Sequence, residues 1–153
     1  MTHASPVAVI WVAVSRAGLR GDGSPWRVPR CIADGMAAAR QSCQFTNPSP
    51  LVGLAPPIQD VVLHRTPGFT AWHDDHWLVH CDDAMAYRGR IGHPEIGQHP
   101  DALMAVRDEL RAFDWPGEQV DEYVEGLDAN GSPTAYLFTR LHCGAESTYS
   151  DID

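Results

Sequence analysis

Positions 64 to 83 read HRTPGFTAWHDDHWLVHCDD, a stretch holding four of the chain's eight histidines, Cys81, four aspartates and two tryptophans. Imidazole, thiol and carboxylate at this density are the groups that bind metals and move protons. His73, His76 and His80 are spaced three and four apart. On a helix that spacing would set them on one face as metal ligands, with Asp74 or Asp75 as a base. The local sequence argues against a helix. His76-Trp77-Leu78-Val79-His80-Cys81 is rich in aromatic and branched residues, and in a strand positions 76 and 80 stand about 13 Å apart at ~3.3 Å per residue. Two residues so separated cannot share a metal held ~2 Å from each ligand. The strand reading turns Trp77, Val79 and Cys81 toward the core. His76 and His80 then lie on the opposite side, exposed or hydrogen-bonded at the border of an aromatic core.

A second chemistry starts from the thiol. Cys81 as a nucleophile needs a base, and strand neighbours such as His80 point to opposite faces. His64 could reach it from another element with Asp83 as its orienting acid, so His64, His80, Cys81 and Asp83 form the catalytic set of a metal- or thiol-dependent hydrolase. The plainer alternative is a buried, inert thiol, with Asp82 and Asp83 as turn residues. A non-enzymatic reading uses the same stretch as a contact surface for a protein partner, with His64, Trp72, Trp77 and His80 as binding residues.

Cys31 and Cys143 are candidates of another kind. Arg140-Leu-His-Cys143-Gly144 has the outline of a CxxCG zinc knuckle with arginine in the first cysteine position, and Val28-Pro-Arg-Cys31 carries valine there. Structural zinc sites use four ligands, so Cys31 and Cys143 supply two, with His142 and Cys81 the available complements. None of the four cysteines (Cys31, Cys43, Cys81, Cys143) forms a CxxC pair with another. A 153-residue chain needs no disulfide staples, so reduced thiols are expected.

The elements that must position these groups follow from breakers and periodicity. Ile32 to Cys43 reads as a helix ended by Asn47-Pro48-Ser49-Pro50, and Pro56-Pro57 starts a helix that Thr66-Pro67-Gly68 stops. Phe69 to Cys81 reads as strands. Asp101 to Phe113 is an amphipathic helix with Leu103, Val106, Leu110 and Phe113 inward, and Glu118 to Leu127 repeats the pattern with Val120, Val124 and Leu127. After the turn at Asn130-Gly131-Ser132-Pro133, Thr134 to Arg140 alternates as a strand and Ser147 to Ile152 returns as its partner. The fold class expected is α+β: a small mixed domain with packed amphipathic helices and a C-terminal β-hairpin resembling a degenerate zinc ribbon. Residues 1–30 hold a single acid, Asp22, and no sustained periodicity. They are expected as a disordered N-terminal segment ahead of one domain over 31–153.

Bulk charge narrows the partners. A net charge of −9 disfavours nucleic acid, whose phosphates call for clustered Lys and Arg. No apolar run approaches the ~20 residues that span a bilayer. The run from Pro6 to Val14 lacks the basic start of an export signal, which makes a cytoplasmic location the expectation.

Several motifs in order carry a family resemblance. They are Cys31-Ile-Ala-Asp-Gly35, Phe45-Thr46, His64-Arg-Thr-Pro-Gly-Phe69, Trp72, Trp77-Leu78, His80-Cys81-x-Asp83, Gly131-Ser-Pro-Thr-Ala-Tyr136-x-Phe138, Cys143-Gly144 and Tyr149-x-Asp151. From about Cys31 to the end the chain resembles the CbrC family of bacterial proteins. That resemblance implies a role in envelope stress or colicin tolerance without a defined reaction, and zinc held by paired cysteines. The chain departs from the paired-cysteine pattern at Val28 and Arg140, which counts against zinc here. The break before Cys31 suggests a misassigned start or shifted reading frame.

Overall fold

The computed structural model describes residues 30–153. The expectation for residues 1–30 therefore lies outside the described residues, Arg30 apart. The chain is mixed α+β, as its sequence pattern indicates. Helices α1 (Arg30–Ala33), α2 (Met36–Gln41) and α3 (Pro56–Arg65) come first. A minimal hairpin, β1 (Val79–His80) and β2 (Asp83–Ala84), follows. Strand β3 (Ala86–Ile91) leads into α4 (His93–Ile96), α5 (Pro100–Ala112) and α6 (Gly117–Glu125). The hairpin β4 (Thr134–Thr139) and β5 (Glu146–Asp151) closes the order.

Strands β3, β4 and β5 form an antiparallel sheet in that order, with β4 central. Alternate residues of β4 enter two different cores. Tyr136 and Phe138 join Leu51, Val62, Trp77 and Tyr87 on one face. Ala135 and Leu137 join Val106, Leu110, Val120 and Val124 of α5 and α6 on the other. A strand buried on both faces loses polar alternation, and five of its six residues are buried. In β3 the register shifts between Tyr87 and Gly89. This bulge lets Tyr87 face the aromatic core while Ile91, four residues on, faces the helices.

The helical face follows the expected periodicity, with Ala102, Val106 and Leu110 of α5 buried at four-residue spacing. Phe113 is the exception. It lies just past the last turn and is 72% exposed, so the core role expected of it is corrected.

The other face departs further. The helix expected over Ile32 to Cys43 is broken between α1 and α2 at Gly35, whose φ of 78° is left-handed. The strands expected over Phe69 to Cys81 reduce to Val79–His80. Residues 66–78 instead form an irregular strap across the sheet. Three of its amides are satisfied by side chains from the strands: Trp72 N–H donates to Tyr136 Oη (3.3 Å), His73 N–H to Asp151 Oδ2 (2.8 Å) and His76 N–H to Tyr149 Oη (3.2 Å). Those bonds remove the need for a ladder. Near its start, Gly68 passes so close to Phe45 that a Cβ there would collide with the Phe45 carbonyl oxygen. Further on, the Asp75 carboxylate accepts from Thr46 Oγ1 and Asn47 N–H.

Candidate functional site

The residues expected to carry chemistry fall at three places. The first is the turn between β1 and β2. Pairing of Val79 with Ala84 and of His80 with Asp83 leaves a two-residue loop, Cys81-Asp82. Their φ values of 54° and 56° are both left-handed. This is the geometry of a type I′ turn, which matches the twist of its strands. Such backbone costs a non-glycine residue on the order of 1 kcal/mol or more. The turn brings Cys81 Sγ to 2.9 Å from His80 Nδ1. The expectation that these neighbours point apart is thereby corrected, because Cys81 sits in a turn and not in a strand. It is also exposed rather than core-facing.

Asp83 follows with a buried side chain. Its Oδ1 accepts from Ala84 N–H (2.8 Å) and its Oδ2 lies 3.0 Å from His142 Nε2. His142 stands in the β4–β5 turn, closed by Arg140 N–H to Ala145 O (2.8 Å) and Gly144 N–H to Arg140 O (3.0 Å). The tips of two hairpins therefore meet through a carboxylate–imidazole pair, and Cys143 follows His142 on the exposed side. Nothing in the local sequence around Asp83 points to His142 as its partner.

The second place is α3. His64 Nδ1 lies 3.0 Å from Asp60 Oδ1, and Arg65 Nε donates to Asp60 Oδ2 at 2.7 Å. The hydrogen bond from Arg65 is the main cause that holds the Asp60 carboxyl below its usual pKa, with His64 adding to it against burial. An i,i+4 Asp–His pair on a helix is legible from spacing. These side chains, with Asp34, Cys43 and Gln44, line an open cleft of about 710 Å³ between α1–α2 and α3. Of His64, His80, Cys81 and Asp83, the last three share the β1–β2 turn and His64 lies on α3; among the described residues, the His80–Cys81 contact is the one hydrogen bond joining two of the four side chains.

The third place is the strap. Trp77 is fully buried and donates its indole N–H to Met85 O at 2.8 Å. It is a core residue, so its expected place on a contact surface is corrected. Trp72 keeps 42% of its surface exposed while its indole N–H donates to Gly131 O (3.0 Å) and Thr134 Oγ1 (3.2 Å). His73 Nδ1 lies 2.6 Å from Asp151 Oδ1. That hydrogen bond, reinforced by the charges of Asp151, Asp153 and Asp74, holds the imidazole pKa above its usual value.

Cys31 lies on α1 and Cys143 in the β4–β5 turn, and both are exposed with unpaired thiols. Among the described residues, no three His, Cys, Asp or Glu side chains are placed to hold one metal ion. The closing hairpin is not shown to be a zinc ribbon. Among the described residues, no helix is long and apolar enough to cross a membrane.

Comparison with known proteins places the chain. The profile of a family described as "Uncharacterised protein family (UPF0167)" matches residues 27–152. The chain belongs to UPF0167. The UPF0167 protein Mb2317 of Mycobacterium bovis is 46% identical over 126 residues, covering 81% of this chain and 67% of its own. The UPF0167 protein MT2352 of Mycobacterium tuberculosis gives the same figures. The UPF0167 protein PA1536 of Pseudomonas aeruginosa is 41% identical over 135 residues, with 87% and 71% covered. No solved structure matches the chain. The expected CbrC assignment is corrected by these matches: the family shown is UPF0167, and colicin tolerance loses its support with the CbrC name.

Proposed function

We propose that this UPF0167 chain is a non-enzymatic binding protein that recognises a protein partner. The observation supporting this is that the one nucleophile–base contact, Cys81 with His80, has no orienting acid hydrogen-bonded to it among the described residues. His64 is engaged by Asp60 and Asp83 by His142, so neither hydrogen-bonds the Cys81–His80 pair. A nucleophile, base and orienting acid act as a unit only within hydrogen-bond reach of one another. The net charge of −9 favours a protein over a nucleic acid as partner. Four exposed, unpaired thiols suit a reducing, cytoplasmic compartment.

The test is esterase activity on 4-nitrophenyl acetate, measured for the wild type and for Cys81→Ala and His80→Ala. The binding reading expects rates equal in all three and no higher than an equal concentration of free cysteine. A wild-type rate tenfold above both variants, with their folding intact by circular dichroism, overturns it. One observation favours the second reading, a thiol-dependent hydrolase: the 2.9 Å contact between Cys81 Sγ and His80 Nδ1. There the imidazole would take the thiol proton, Cys81 would displace the alcohol from an ester carbonyl with the imidazolium protonating that leaving group, and water would hydrolyse the resulting acyl-thioester to free Cys81.

A further inference from the structure

A groove of about 460 Å³ opens between the strap and α5, lined by His76, Leu78, Glu109, Thr148 and Tyr149. Its walls are chiefly apolar, from the Leu78 side chain and the Tyr149 ring, with the His76 ring edge-on to Tyr149 at 5.6 Å between centroids. One charged group is set among them. Glu109 reaches from α5 toward β5, and its Oε2 accepts from Ser150 N–H (3.0 Å) and Ser150 Oγ (3.1 Å). Two bonds to one oxygen fix the carboxylate in place and leave Oε1 without a hydrogen-bond donor among the described residues. No Lys, Arg or His among the described residues lies within ion-pair distance of Glu109. Burial is the main cause that holds its carboxyl pKa above the usual value, and the nearby negative charge of Asp151 adds to it.

A half-buried carboxylate with an open oxygen and no cation is complementary to a positive group on an apolar stem. Arginine fits this description best, since its stem covers apolar walls and its guanidinium presents N–H donors in a planar fork. We propose that the groove receives an arginine side chain carried by an extended peptide of a protein partner. A second copy of this chain is disfavoured as occupant, because two chains of net charge −9 repel. The proposal rests on the binding reading and adds to it a surface and a chemistry.

The experiment is an amide chemical-shift titration of the ¹⁵N-labelled full chain. The probe is the capped peptide acetyl-Gly-Gly-Arg-Gly-Gly-amide, and its citrulline analogue is the neutral control. The proposal expects saturable movement of the Ser150 and Thr148 amides with the arginine peptide and none with citrulline. Glu109→Gln keeps an oxygen for Ser150 but removes the charge, and it should weaken binding about tenfold or more. Equal affinity for wild type and Glu109→Gln, or no saturable movement at Ser150, overturns the proposal. So does free arginine binding as well as the peptide, or movement of the same amides with protein concentration alone, which would assign the groove to a second copy. Catalysis in the ester assay would remove the binding reading itself. An inert ester assay with a failed titration would remove only this groove's assignment.

Discussion

The two faces of β4 are built on different principles. Toward α5 and α6 the sheet meets regular helices whose apolar residues recur every three or four positions, and their packing is aliphatic: Val106, Leu110, Val120, Val124 and Leu127 against Ala135 and Leu137. Toward the strap it meets irregular chain, and the packing is aromatic. Phe69 stacks on Tyr87 at 4.2 Å, Tyr136 on Tyr149 at 4.8 Å, and Trp77 meets Phe138 edge-on at 6.1 Å. On the helical face the helices satisfy most of their own backbone, and side chains chiefly fill space, with Thr148 Oγ1 to Ala102 O (2.9 Å) an added bond. On the strap face the backbone does not, so sheet side chains must bond it as well as pack against it. That makes the aromatic face more dependent on particular residues.

The sharpest way to break this contrast is to truncate one side chain on each face. Phe138→Ala should cost about 3–5 kcal/mol and Leu110→Ala about 2–5 kcal/mol in urea unfolding, with the larger loss at Phe138. A larger loss at Leu110 would reverse the ranking of the two faces. Next in size is Gly68→Ala, which forces a methyl group into the Phe45 carbonyl and should cost about 2 kcal/mol. Gly97→Ala, where no neighbour lies within 4 Å of the new Cβ, serves as the neutral reference in thermal melts. Tyr149→Phe removes the acceptor for His76 N–H and should lower stability by about 1 kcal/mol. Its signature is faster hydrogen exchange at the His76 amide with α5 unchanged.

The smallest effect concerns pH. The folded state raises the His73 pKa through its bond to Asp151, so this contribution is complete below the unfolded value, ~6.5 for histidine. It is lost as pH rises through the higher folded value. Burial raises the Asp151 carboxyl, but the bonds from His73 outweigh it and leave the pKa below normal. That contribution is present above the unfolded aspartate value and is lost as pH falls through the depressed one. His73→Gln should therefore flatten the stability profile on the alkaline side of the histidine range, and only slightly, since the ring is solvent-exposed and its ion pair is screened. A profile that keeps its alkaline decline in this variant would detach the effect from His73.

The same contrast explains what could be read from the sequence. Helices α5 and α6 and the closing hairpin were legible because spacing reports burial directly in regular backbone. Phe113 failed only because it lies one residue past the last helical turn. Strand β3 was missed because its bulge at Tyr87/Gly89 breaks the period-two pattern that a strand is recognised by. The strap reads as strands because Phe, Trp and Thr favour extended backbone, and nothing local reveals that three of its amides bond to residues about 60 to 80 positions away. At the candidate site, the His64–Asp60 pair was available from i,i+4 spacing. The Cys81 turn was hidden because it places two non-glycine residues at positive φ, where Asn-Gly would have announced it. Asp83 meeting His142 and Glu109 meeting Ser150 are products of tertiary packing alone.

The strap also shows where the specification of its path resides. Three of its amides, at positions 72, 73 and 76, donate to side chains borne by Tyr136, Asp151 and Tyr149. A backbone donor is the same whatever side chain it carries. Positions 73 and 76 could therefore change residue type over many generations while the route of the chain persisted. The acceptor residues have less latitude, because losing the oxygen at any of them leaves an amide of the strap without its protein partner. The instruction for laying that histidine-bearing segment down is written in the strands beneath it.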